Sequence, residues 1–237
     1  MISKEEMFSK YRALDINSEP LTIKNNKQNA RLFDILKHKR LHATSFCNLN
    51  DTLESAFTYD IKELSQEDLI NFYNAKMDKT KNICSFSIAK NDIYAASDQC
   101  EHLMWAHYAN AHKGVRIDFK LKNDYEHVQK VNYVDELTEI KKEDIKNENT
   151  LNKIMTTKLK IWEYEKEARI ISTNTYIDII IKRIVLGRGF HSSNSQISSD
   201  SNFKIIALTL KNLLGDDSVE FYMYENKYSN KLHKIQC

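Results

Sequence analysis

EARIIST at residues 167–173, IKRIVLG at 181–187, FKIIALTL at 203–210 and VEFYMYE at 219–225 decide how this chain is read. Each is a short run rich in β-branched and aromatic residues, the composition of a strand. A helix around SSNSQISSD, residues 192–200, is expected between the second and third runs. Strands that do not alternate regularly with helices argue against an all-parallel sheet. The expectation is an α+β fold: one domain, with a mixed, largely antiparallel sheet flanked by helices.

Outward from these runs, RALDI, LHATSF, NICSFSI, VRIDF and VQKVNYV read as further strands. NNKQNARLFDILKHKR, with Leu32, Ile35 and Leu36 on one face, reads as a helix, and SQEDLINFYNAKMDK as another opened by a serine cap. The polar stretch 136–162 predicts one long helix or two shorter ones, a helical segment around 138–161 inside the single domain 1–237. No internal repeat and no Pro/Gly-rich linker marks a second domain.

Composition narrows the chemistry. The 237 residues carry 35 basic and 33 acidic side chains, a net charge of +2, so no strong general attraction to a polyanion is expected. The four glycines form neither G-x-G-x-x-G nor G-x-x-x-x-G-K-[ST], so a bound nucleotide has to be held by side chains. Four cysteines without a C-x-x-C pair suggest neither a zinc ribbon nor a disulfide framework. MISKEEMFSK lacks the apolar core of a signal peptide and no apolar run reaches about 18 residues. The expectation is a cytoplasmic protein without membrane contact.

Three stretches can carry chemistry. In LMWAHYANAHKG, residues 103–114, a helix is expected from about Asp98 to Ala111, with Gly114 near its C-cap. Met104, His107, Tyr108 and Ala111 then share a face, Trp105 lies off it, and His112 sits near the terminal carbonyls. The alternatives are a packed aromatic helix and one wall of a cleft, with His107 bracing the neighbouring Asn-Asp loop. In WEYEKEARII, an extended chain would project Glu163, Glu165, Glu167 and Arg169 to one side, either as a solvated edge or as a site at the mouth of a core strand. In NLNDTLE, Asn50 and Asp51 cap a turn or helix whose first turn holds Glu54. No H-x-x-x-H or H-E-x-x-H spacing supports metal binding there, and no metal is expected.

KYRALD, RLFDILKHKRLHATSFCNLNDTLE, ICSFS, LMWAHYANAHKG, KIWEYEKEAR and IKRIVLG, in this order, resemble the bacterial family catalogued as domain of unknown function 2971. Thr52 departs from the proline that the family usually has after Asn-Asp, which loosens the turn. The layout is also similar to compact ADP-ribosyltransferases. That resemblance implies an NAD-consuming transferase or NAD hydrolase, of the kind found among toxin-like effectors and phage-defence systems, with a protein partner possible and a protein or nucleic acid as acceptor. It assigns Glu167 as the catalytic carboxylate and Glu165 as a residue that orients the acceptor or serves as its base. Arg12 with Tyr11 would hold the ribose or phosphate; Ser87, Tyr108 and His107 would line the nicotinamide side. Asn50, Asp51, Glu54, Trp105, His112 and Arg169 would support them. Two other readings are a metal-dependent nuclease or hydrolase using Asp51, Glu54, His107 and Glu167, and a non-catalytic binding module.

Overall fold

The computed structural model describes residues 2–18, 21–45, 48–49, 56–76, 81–90, 92–93, 101–145, 147–191 and 199–236. In chain order its main elements begin with strand β1 (Phe8–Ala13), helices α1 (Lys27–His38) and α2 (Gln66–Lys76), strand β2 (Asn82–Ile88) and helix α3 (Glu101–Tyr108). Strands β3 (Gly114–Leu121) and β4 (Val128–Lys130), helix α4 (Glu148–Met155), and strands β5 (Glu167–Ser172) and β6 (Tyr176–Leu186) follow. Helix α5 (Ser199–Leu214) and strands β7 (Glu220–Tyr224) and β8 (Leu232–Lys234) complete the set. The chain divides into two compact units, Met1–Leu41 with Phe86–Tyr125 and Asp178–Cys237, and His42–Ser85 with Glu126–Ile177.

In the first unit the strand order is β8-β7-β6-β3-β1, with the end of β2 beside β1. All pairs are antiparallel except β6 with β7. A parallel pair needs a long crossover, and α5 supplies it. Along β6, Ile177, Ile179 and Ile181 are buried while Asp178, Ile180 and Lys182 point outward; from Arg183 to Leu186 every residue is buried. Helix α1 starts where the Asn26 side chain accepts from the Asn29 amide at 3.0 Å, and ends at Lys39, whose φ is 50°. It buries Leu32, Ile35 and Leu36, as its spacing predicts. Phe8, Phe86 and Phe119 pack as an aromatic triad, with centroids 4.8 to 6.0 Å apart.

The second unit holds α2, α4, β4, β5 and the start of β2, with β5 between β2 and β4. Its core is Leu64, Phe72, Ile83, Ile140, Leu151, Ile154 and Met155.

Several expectations are corrected. FKIIALTL is the centre of helix α5, not a strand: Phe203, Ile206, Ala207, Leu210 and Leu214 are buried, while Ile205 and Leu208 are 46% and 45% exposed. A short apolar run fits both periods, and only the 16-residue length of the element decides. Of the helix expected around SSNSQISSD, only Ser199 and Asp200 are described, as the first residues of α5. The stretch 136–162 is not one long helix: a two-residue strand, two 3-10 turns, α4 and the strand Thr157–Leu159 share it. VQKVNYV divides into β4 and Asn132–Val134, the latter paired in parallel with Thr157–Leu159. Gly114 is no helix cap. It lies within β3, and its glycine follows from close approach, since a Cβ there would sit 2.3 Å from the Arg12 carbonyl oxygen.

Candidate functional site

Each unit carries buried polar side chains that meet. In the first unit, strand register sets Ser87, Ser9, Asp118, Arg183 and Glu220 in a row across five strands. Two residues along, Tyr11 faces Arg116. Charged residues alternating with Val115, Ile117 and Phe119 in β3 therefore all reach one face of the sheet. Asp118 is fully buried: Ser9 donates to its Oδ1 at 2.6 Å, Arg116 binds both oxygens at 2.9 and 3.1 Å, and Arg183 lies 3.2 Å away. Arg116 also reaches Glu101 Oε1 at 2.5 Å, which accepts in addition from Trp105 Nε1 at 3.2 Å and from the Tyr11 and Tyr224 hydroxyls at 3.4 Å. Burial pushes the Tyr11 phenol well up, against the opposing pull of Arg116, and raises Tyr224 to about 12. Both rings stay neutral donors.

Helix α3 ends in an unusual turn. Asn110, Ala111 and His112 have φ of 47°, 51° and 69°, three successive left-handed residues without a glycine. Such a backbone costs about 1 kcal/mol or more per residue and persists only when its surroundings fix it. The His112 amide donates to the Trp105 carbonyl at 3.2 Å, its carbonyl accepts from Gly189 at 3.0 Å, and Gly187 donates to the Gly114 carbonyl at 2.9 Å. A Cβ on Gly187 would lie 2.1 Å from the His112 oxygen and one on Gly189 2.8 Å from it, so G-R-G at 187–189 is the counterpart of this turn.

The turn fixes the His112 ring on Trp105, 15° from parallel and 6.1 Å between centroids, with the His102 ring 5.8 Å from it. Arg188, between the two glycines, lays its guanidinium over Tyr224 at 4.3 Å and donates to Asn230 at 2.9 Å. Burial first, then Arg188 and His102, lower the His112 pKa.

In the second unit the W-x-x-E-x-E-x-R stretch is not a continuous strand. Lys160–Glu165 is a 3-10 helix, Lys166 takes a φ of 45°, and only Glu167 onward is extended. The four-residue face expected from Glu163 to Arg169 therefore reduces to Glu167 and Arg169 on β5, with Glu165 brought to them from the helix. Arg169 binds Glu167 as a fork, Nε to Oε1 at 2.8 Å and Nη2 to Oε2 at 3.0 Å, and also donates to the Met155 carbonyl. Lys158 lies 2.6 Å from Glu165 and 3.4 Å from Glu167. The Glu167 amide donates to the Tyr133 hydroxyl oxygen at 2.8 Å. Burial pushes the Glu167 carboxyl up, but Arg169, Lys158 and a bond from Ser85 outweigh it and bring it down to about 2.

The expected residues thus fall into groups. Tyr11, Arg12, Ser87, Trp105, His107, Tyr108 and His112 are in the first unit; Glu165, Glu167 and Arg169 are in the second, in mutual contact through Lys158. Asn50, Asp51 and Glu54 lie outside the described residues. The buried face of α3 is Met104 and Trp105, extended by Ala109, whereas His107 and Ala111 are exposed, because the largest apolar side chain takes the interior. Tyr11 and Trp105 are interior rings in edge-to-face contact at 5.2 Å. Sequence reading passed over Glu101, Arg116, Asp118, Lys158, Arg183, Arg188 and Tyr224. Alternating charges in an apolar strand, and an arginine between two glycines, were the available signals.

Among the described residues, no group of three or more His, Cys, Asp or Glu is placed to hold a metal ion, and no helix is long and apolar enough to cross a membrane. No curated protein and no solved structure matches the chain. Residues 104–170, which contain the α3 motif from Met104 onward and the whole W-x-x-E-x-E-x-R pattern, match the family described as "Protein of unknown function (DUF2971)", in support of that resemblance.

Proposed function

We propose that the chain is an ADP-ribosyltransferase-like enzyme or NAD hydrolase in which Glu167 is the working carboxylate. One observation carries the reading: Glu167 is 7% exposed yet held ionised, its carboxyl at about 2. When the bond between nicotinamide and ribose breaks, positive charge develops on the ribose, and an ionised carboxylate accepting from a ribose hydroxyl stabilises it. A carboxylate offers about four lone-pair directions. The 3.4 Å approach of Lys158 is longer than both Arg169 bonds, and is the one a hydroxyl would replace. Glu165, held by Lys158 at 2.6 Å, is the candidate base for an acceptor. A toxin-like or antiphage role with a protein partner, and a protein or nucleic acid as acceptor, belong to the same proposal.

A second reading, a ligand-binding module without catalysis, is favoured by the fork from Arg169 to both oxygens of Glu167, which is also how a structural ion pair is built. Incubating the full chain with NAD and following nicotinamide release by chromatography separates the two. The enzymatic reading expects release by the wild type and a loss of about 100-fold or more in Glu167→Gln at unchanged circular dichroism. Release within a few-fold of wild type in that variant removes Glu167 from the reaction, and none from the wild type with protein and nucleic-acid acceptors supplied leaves the binding module. Loss of release on adding chelator would instead favour the metal-dependent hydrolase.

A further inference from the structure

The cluster around the left-handed turn has a chemical character of its own. Arg188 is 9% exposed and, among the described residues, has no carboxylate partner; its Nη2 is bound to Asn230, and its Nε is buried with no hydrogen-bond partner. His112 Nδ1 is likewise buried without a partner among the described residues. A buried polar nitrogen left unpaired costs about 1–3 kcal/mol, so two in one cluster call for a ligand that pairs them. The acidic neighbour, Glu101, already has Arg116, Trp105, Tyr11 and Tyr224 on one oxygen, so its charge is largely offset before any ligand arrives. Tyr224 supports Arg188 from below, and Trp105 supports His112. Both side chains are thus held in place by aromatic rings, Tyr224 also accepting a hydrogen bond from Arg188, and the turn and G-R-G fix the backbone that carries them.

We infer that Arg188 and His112, with His102 at the rim, form a binding site for the phosphate group of a small molecule, as free phosphate or as the phosphate of a nucleotide. Arg188 offers the planar fork that matches phosphate oxygens, and His112 offers one further N–H when Nδ1 carries the proton. The groups facing His112 are Arg188, His102 and Glu101, with Tyr224 beneath Arg188. A bound dianion adds negative charge beside the imidazole and favours its protonated form. Binding of the dianion therefore raises the pH at which His112 titrates.

The site stands on the first unit alone and does not depend on Glu167. The test is calorimetric titration of the full chain with inorganic phosphate, ADP and NAD, alongside Arg188→Ala, Arg188→Lys and His112→Gly. Glycine suits the φ of 69° at position 112, so this last variant removes the ring and keeps the turn. Wild type should bind phosphate or ADP, with about tenfold or greater weakening in Arg188→Ala and His112→Gly and partial retention in Arg188→Lys. Equal affinity for phosphate and ADP identifies free phosphate as sufficient, while tighter ADP binding identifies a nucleotide. The His112 ring proton, followed by NMR, should titrate at higher pH with phosphate present. No binding of either probe by wild type, or affinities within twofold of wild type in Arg188→Ala and His112→Gly, overturns the site. A chain that binds ADP and leaves NAD intact keeps it and overturns the NAD-cleaving reading instead.

Discussion

The two polar clusters treat a buried arginine in opposite ways. Around Glu167, two carboxylates meet one lysine and one arginine, the charges balance, and both oxygens of Glu167 are occupied. Around His112, Arg188 faces no carboxylate, and Arg188 Nε and His112 Nδ1 lack partners, among the described residues. A balanced buried group contributes mainly through the penalty for breaking it. An incomplete one lowers stability until something completes it. Burial and charge alone therefore do not separate the two clusters; the extent to which their hydrogen-bonding capacity is used does.

The comparison breaks most sharply at Arg169. Arg169→Ala strands Glu167 in the interior and frees the Met155 carbonyl, and about 3–5 kcal/mol of stability should disappear in urea unfolding. Arg188→Ala, by contrast, should change unfolding far less than it changes phosphate binding. Equal stability losses in the two variants would erase the distinction drawn between the clusters.

Acid titration sharpens the same point. The Glu167 carboxyl is lowered on folding from 4.5 to about 2, so its contribution is present above pH 4.5 and fades as pH falls towards 2. The span corresponds to roughly 3 kcal/mol. Unfolding free energies between pH 5 and 2, with Glu167→Gln showing a flatter slope over that window, measure it.

At the other cluster, Gly187→Ala forces a Cβ against the His112 oxygen and should cost about 1–3 kcal/mol while weakening phosphate binding in parallel. Ala111→Gly relieves one left-handed residue and should raise stability by up to about 1 kcal/mol in thermal unfolding. Asp135→Ala sets the baseline: its 3.6 Å pair with Lys160 is solvent-exposed, and its loss should stay within about 0.5 kcal/mol.

Much of the fold was legible because one period dominated locally. NICSFSI maps onto β2 residue for residue, and Leu32, Ile35 and Leu36 point inward as their spacing predicts. FKIIALTL misled because isoleucine serves either element, and the parallel pairing of β6 with β7 that demands a crossover helix is a long-range fact. In the site, the pairing of Glu167 with Arg169 was readable two residues apart on a strand, but Lys158 was not, because it arrives from another element. The left-handed turn was invisible: nothing in Asn110-Ala111-His112 announces it, and its cause lies at Gly187 and Gly189, far along the chain.

The division of the chain also limits how it can be taken apart. Three separate segments build the first unit and two build the second, so the polypeptide leaves one and returns twice, at 42–85 and at 126–177. No continuous fragment can therefore be excised that holds one unit whole without part of the other. A truncation from one end removes part of a unit rather than a whole one, and isolating either would require the chain to be rejoined in a new order.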